Sequence, residues 1–117
     1  MLEVKTPVSE ILDRLSIMRL KKEKRNTKDF DELIQNYEDV TAKVFNTGVA
    51  TAFEHLITIN SQLWELEDTV RSKISVQQFY DVAKQIFHLN EVRASVKGNI
   101  EKMTKGIVDA KVYSKPT

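Results

Sequence analysis

Residues 49–74 read VATAFEHLITINSQLWELEDTVRSKI, and the spacing of their apolar side chains decides the fold. Val49, Phe53, Leu56, Asn60, Leu63, Glu67, Val70 and Ile74 recur at alternating intervals of four and three, the seam of a helix packed lengthwise against neighbours. Six of these are apolar; Asn60 and Glu67 are not. The segment after Ser75 repeats the pattern with Phe79, Ala83, Ile86, Asn90, Arg93, Lys97 and Ile100 on one face. A neutral polar group buried without a partner costs about 2–7 kcal/mol. The polar seam residues therefore satisfy one another or line a wet pocket.

The rest of the chain reads as further helices. Ser75-Val76-Gln77-Gln78 matches a capping box and starts a fourth helix that reaches about Lys105, with Gly106 as its stop. A more apolar stripe of Val82, Ile86, Leu89, Val96, Ile100, Met103 and Ile107 runs along it. Gly98, inside that helix, costs about 1 kcal/mol against alanine and marks close approach of a neighbour. Upstream, Thr6-Pro7 fits an N-cap with proline at the first helical position. Val8, Ile11, Leu12, Leu15 and Met18 then follow helical spacing to about Arg25, where Asn26-Thr27 breaks the helix. Phe30, Leu33, Ile34, Tyr37, Thr41 and Val44 form the second stripe, closed by Asn46-Thr47-Gly48 as a C-cap.

The fold class that follows is all-α: an antiparallel helical bundle with a long, coiled-coil-like hairpin of the third and fourth helices. Residues 1–117 form a single helical domain, with 107–117 a short extended or frayed tail. The last two helices are each roughly 40 Å long at about 1.5 Å per residue. Such a hairpin outreaches the first two helices and packs against a second copy, with Ile59, Leu66, Phe87 and Leu89 at the stripe margins as contact candidates.

Composition narrows the class of protein. The 117 residues are 41% hydrophobic and 30% charged, as in ordinary soluble domains. Three glycines and two prolines are too few for a turn-rich all-β fold. The absence of cysteine excludes disulfides and thiolate metal sites and suits a reducing compartment. No run approaches the roughly 18 consecutive apolar residues of a membrane span. The opening MLEVKTPVSEILD carries acids where a signal peptide needs an apolar stretch. A cytoplasmic protein is expected.

The net charge of +1 exerts no global pull on nucleic acid or membrane. Locally, residues 19–28 sum to +5 and residues 29–39 to −5. A turn near Asn26 lays these blocks side by side, which favours a self-compensating helix pair over a phosphate-binding patch.

Taking Ser75 as the mirror of an antiparallel hairpin, Asn60 falls opposite Asn90, Trp64 opposite Ile86, Ile57 opposite Arg93 and Phe53 opposite Lys97. The candidate site is therefore Asn60, Trp64, Glu67, Arg71, Asn90, Arg93 and Lys97. In one reading these residues form a closed network, with Asn60 and Asn90 exchanging amide hydrogen bonds and Glu67 paired with Arg71 or Arg93. In the other, Arg71, Arg93 and Lys97 hold an anion, the asparagines select its polar groups and Trp64 forms an apolar wall.

Four stretches carry a resemblance: VSEILDRLSIMRLKKEK, LITINSQLWELEDTVRSK, FYDVAKQIFHLNEVRASVKGNI and AKVYS. In this order they resemble a family of small proteins from bacteria and their phages, classed as a domain of unknown function. The sharpest pieces are Asn60-x-x-Leu63-Trp64-x-x-Glu67-Asp68-x-x-Arg71 and Phe87-x-x-Asn90-Glu91-x-Arg93-x-x-x-Lys97. Phe87 and Glu91 replace the family's usual tyrosine and aspartate, and Ser9 and Arg14 its glycine and lysine. The polar motif residues coincide with the seam exceptions and add Glu10 and Asp13 as secondary candidates. The resemblance implies no particular activity.

Other chemistry has little support. His55 and His88 lack ligand spacing, so no metal or cofactor is expected. Glu10-x-x-Asp13 and Glu65-x-x-Asp68 are similar to the acidic motifs of helical nucleoside triphosphate pyrophosphatases but lack their further glutamates. No residue arrangement supplies a catalytic nucleophile and no glycine-rich loop a phosphate cradle. A non-enzymatic helical binding module, forming a homodimer or meeting a protein partner, is the expected function. The alternative is an enzyme or sensor for a small anionic ligand, a nucleotide or phosphosugar, held by the Arg, Lys, Asn and Trp of the polar cluster.

Overall fold

Ser75 caps the longest helix of the chain. Its hydroxyl accepts the Gln78 backbone N–H at 3.1 Å, and the Gln78 side chain accepts the Ser75 N–H at 2.9 Å. This reciprocal pair satisfies donors that a helix start leaves open. The structure is a computed structural model that describes residues 2–105 and 107–112. Its elements run β1 (Leu2–Pro7), α1 (Val8–Arg25), α2 (Asp31–Ala42), α3 (Thr47–Arg71), α4 (Val76–Thr104) and β2 (Ile107–Val112). The Tyr113-Ser114 end of the fourth motif, and the tail beyond it, lie outside the described residues. No helix among the described residues is long and apolar enough to cross a membrane.

The protein is all-α in class, with α3 and α4 packed along each other as an antiparallel hairpin. Gly48 approaches Met103 so closely that a Cβ on the glycine would lie 2.9 Å from the sulfur. These residues are equidistant from Ser75 to within one position, which sets the hairpin register. Helix α1 packs against α2, α3 and α4. It is buried at Val8, Ser9, Ile11, Leu12, Asp13, Leu15, Ser16 and Met18, more than one helical stripe. The extents of 46 × 33 × 20 Å fit two helix layers, since packed helices lie about 8–10 Å apart. The core joins the α1 stripe to Ile34 and Tyr37, to Val49, Phe53, Leu56, Ile59 and Leu63, and to Val96, Ile100 and Ala110. Val82, the only buried residue in the first half of α4, stands apart from it. The far end of the hairpin thus extends past the covering layer.

The +5 and −5 blocks meet as expected, through Arg19 to Glu38 at 2.9 Å and Lys22 to Asp31. Asn26 closes α1 at φ 48°, a left-handed position that asparagine tolerates.

Several element ends depart from the sequence reading. Thr6 does not cap α1. It is buried in β1 opposite Val108, and Pro7 takes the cap position without a side-chain hydrogen bond. Strand pairing holds Thr6 extended, so an outside group serves the helix start: Glu101 of α4 accepts the Ser9 N–H at 2.8 Å. Residues 107–112 are a strand paired antiparallel with β1, so this part of the tail is extended. Ala110 of that strand is buried, and β2 packs on α2.

Asn46 begins α3 instead of ending α2. Its side chain accepts the Val49 N–H at 3.0 Å, a role asparagine fills at helix starts as readily as at ends. Lys105, at φ 47°, takes the left-handed position that ends α4; Gly106 lies outside the described residues. Gly98 departs most from expectation, because a Cβ built there meets nothing within 4 Å. No neighbour approaches it within the monomer.

Truncating Leu56, which is fully buried, should cost about 2–5 kcal/mol through the cavity it leaves. Removing the Ser75 cap by Ser75→Ala should cost about 0.5–2 kcal/mol. Urea unfolding of the two variants checks that order; a Ser75→Ala loss exceeding that of Leu56→Ala would contradict this account of the core.

Candidate functional site

The seam exceptions come together around a residue of α1. Ser9, Asp13 and Ser16 lie at intervals of four and three on the buried face of α1, whose other buried residues are all apolar. Asp13 is 2% exposed. A carboxylate so placed must find donors, and both helices of the hairpin supply them. From α3, the Asn60 amide donates to Asp13 Oδ1 at 3.0 Å and to the Ser16 hydroxyl at 2.7 Å. Ser16 in turn donates to the Asp13 backbone carbonyl at 2.7 Å. From α4, Arg93 clasps the carboxylate with two nitrogens, Nε to Oδ1 at 3.0 Å and a terminal nitrogen to Oδ2. Fork-on-fork pairing of this kind is both directional and charge-assisted.

A second shell of charge surrounds the first. Lys97 Nζ lies 2.8 Å from Glu10 Oε2 and 3.4 Å from Asp13 Oδ2. Arg14 Nε donates to the other Glu10 oxygen at 3.1 Å, and the Arg14 guanidinium also bonds the buried Tyr37 of α2. All four helices therefore contribute to one cluster of two carboxylates and three cations. Among the described residues, no buried side-chain nitrogen or oxygen lacks a hydrogen-bond partner.

The titration of these groups follows their surroundings. Burial pushes the Asp13 carboxyl up, but hydrogen bonds from Arg93 and Asn60, with the charges of Arg93 and Lys97, more than reverse this and leave it below its ordinary value. The Lys97 hydrogen bond, opposed by burial and aided by Arg14, likewise lowers Glu10. Arg93 is raised, first by its hydrogen bond to Asp13.

Of the residues singled out from sequence, the structure brings Asn60, Arg93 and Lys97 together with Glu10 and Asp13. The remaining four stand outside this group. Trp64 is half-buried on α3. Glu67 is exposed and acts on Arg93 only through its charge. Arg71 is exposed and pairs with Asp68 at 2.9 Å on its own helix. Asn90 is exposed and does not meet Asn60. The mirror about Ser75 describes the hairpin register, but Asn60 turns to α1. Glu65 pairs with Lys24 of α1 at 2.9 Å, so each member of the two E-x-x-D pairs already faces a cation. No group of three or more potential metal ligands occurs among the described residues.

Two surface grooves lie elsewhere. One runs between α3 and α4 beside Gln62, Leu66, Lys84 and His88, the other beside Gly48, His55, Asn99 and Met103. Neither is lined by Asp13, Arg93 or Lys97. No family model matches the chain, and comparison with curated proteins and with solved structures found no match.

Asp13 ranked second in the sequence because its weight came from the resemblance. The Ser9–Asp13–Ser16 spacing was the signal that could have raised it: a polar line running beside the apolar stripe of α1.

Arg93→Ala strands a buried carboxylate and should cost about 3–5 kcal/mol, read by denaturant unfolding. The pair Asp13→Asn with Arg93→Met should recover much of that loss. A near-silent Arg93→Ala would mean that water replaces the guanidinium and that the cluster is open.

Acid should act through the same residues. Asp13 and Glu10 are both lowered in the folded state, so the unfolded chain binds their protons first as pH falls. Their stabilisation is present above the unfolded values, about 3.9 and 4.3, and is lost as pH falls through the depressed folded ones. Unfolding free energy measured from pH 6 to pH 2 should decline over that window, and less steeply for Asp13→Asn. An unchanged decline in that variant would place the acid sensitivity elsewhere.

Proposed function

We propose that this chain is a non-enzymatic helical interaction module that self-associates through its α3–α4 hairpin, with the Asp13 cluster as the internal clamp that holds the hairpin to α1. The observation that carries this reading is the contrast between the two halves of the molecule. Around Asp13 every polar group is partnered. Along the hairpin, by contrast, Val76, Phe79, Tyr80 and Phe87 are all more than half exposed. Large apolar side chains grouped at one end of a monomer are a signature of a contact surface.

The reading refines the contact candidates drawn from periodicity. Ile59 is buried in the core and Leu66 and Leu89 are half-buried, which leaves Phe87 as the one that fully faces outward. It also accommodates the resemblance to the small bacterial and phage family, because Asp13, Asn60, Arg93 and Lys97 are motif residues spread over three helices. A clamp that sets helix geometry would account for such a motif. A cytoplasmic location, the host's if the protein is phage-encoded, goes with this proposal.

The anionic-ligand reading draws on Arg93 and Lys97, whose side chains are 27% and 25% exposed. Asp13 and Glu10 already neutralise those cations, which favours the interaction module.

Sedimentation velocity tests the proposal. Expected is a dimer at tens of micromolar that dissociates on dilution, as mass action requires, with no thermal shift from nucleotides or phosphosugars. A monomer throughout, or a strong shift with such an anion, would overturn it.

A further inference from the structure

Helix α4 carries a second heptad line, distinct from the one that meets α1. Val76, Tyr80, Ala83, Phe87, Asn90, Ala94 and Gly98 follow intervals of four and three along it. This line is open in the monomer. Val76 is 88% exposed, Tyr80 56% and Phe87 67%. Ala83, Asn90, Ala94 and Gly98 are exposed as well, and nothing lies within 4 Å of a Cβ placed on Gly98. A glycine in mid-helix is destabilising unless something uses the space it leaves.

We infer that the occupant of this face is α4 of a second copy, lying antiparallel across a two-fold axis at Phe87. The inference rests on the self-association proposed above and adds its geometry. Sizes along the line are complementary about that one residue. Tyr80 falls opposite the partner's Ala94 and Val76 opposite the partner's Gly98. Ala83 comes within one position of the partner's Asn90, and Phe87 meets its own copy on the axis. At the two outer levels a larger side chain meets a small one, and at the level next to the axis neither side chain is large, so the two backbones can approach closely. A two-fold contact must be self-complementary in this way, each residue pairing twice.

Charge follows the same axis. Lys84 and Glu91 flank Phe87 on the outer side, seven residues apart and thus too distant to pair within one helix. Among the described residues neither has an ion-pair partner; Lys84 Nζ sits over the Tyr80 ring, 4.5 Å from its centre. In the antiparallel arrangement Lys84 reaches the partner's Glu91, and Glu91 the partner's Lys84. A parallel pairing would set Lys84 beside Lys84 and Glu91 beside Glu91, which like-charge repulsion disfavours. The exposed share of Phe79, Tyr80 and Phe87 comes to roughly 350 Å² per copy, taking about 200 Å² for each aromatic side chain. With Val76 and the alanines added, the contact lies at the small end of specific interfaces, in keeping with a dimer that dissociates on dilution.

Charge exchange tests the geometry without touching the core. Lys84→Glu and Glu91→Lys, made singly, should each weaken the dimer by roughly tenfold or more in sedimentation equilibrium, because each places two like-charge pairs across the axis. The double exchange should restore it. Cysteine scanning is the second arm, made simple by a chain that has no cysteine. Phe87→Cys should oxidise to a covalent dimer, whereas Gln85→Cys, on the other side of the helix, should not. A dimer that is indifferent to the single charge changes and to Phe87→Cys oxidation would overturn this arrangement and leave self-association standing by another face. A monomer at every concentration would overturn both.

Discussion

A buried carboxylate cannot stay ionised without donors on more than one side. Asp13 meets that requirement with Arg93, Lys97 and Asn60. Because those partners sit on α3 and α4, the carboxylate ties α1 to both arms of the hairpin at one level. Apolar packing alone would tolerate a helix that slid by a turn or rotated slightly. A bidentate guanidinium does not, since both of its bonds have fixed direction. The positions of the other elements follow from this one. With α1 placed across the hairpin, α2 covers its outer side through Ile34 and Tyr37. The β1–β2 ribbon then joins the segment before α1 to the segment after α4.

The same constraint divides the molecule by chemistry. Near Asp13 charge is internal and balanced, and the side chains spend their hydrogen-bonding capacity on each other. Past the Lys24–Glu65 contact, toward the turn at Ser75, the hairpin runs beyond the core. There Val76, Phe79, Tyr80 and Phe87 of α4 face outward, and among the described residues Lys84 has no ion-pair partner. A site for small-molecule chemistry would show the reverse, with unmatched polar groups in a concavity. The two grooves described above are lined by neither the buried aspartate nor its cations. This layout supports the proposal of an interaction module.

Much of the fold was legible in the sequence. Alternating four and three spacing reports helices packed lengthwise, and the Ser75–Gln78 box marks the hairpin turn because capping is a local hydrogen-bond pattern. The opposed charge blocks around Asn26 predicted the α1–α2 pairing for the same reason: adjacent helices joined by a short turn have no other way to lie. Even the presence of a polar cluster could be read, from amides and charges standing where apolar residues belong.

The partners within that cluster could not be read from a single hairpin. Asn60 was matched to Asn90 because the mirror about Ser75 considers only α3 and α4, while the structure turns Asn60 to Asp13 on a third helix. The β-ribbon escaped for a related reason, since strands at opposite ends of the chain stabilise each other only once the helices between them have folded. By itself the sequence determined which residues are helical, where the helices turn and which positions break the apolar pattern, because those properties depend on neighbours within a few residues. Tertiary structure alone decided which broken positions meet and which faces stay bare, because a buried charge selects its partners by distance in space.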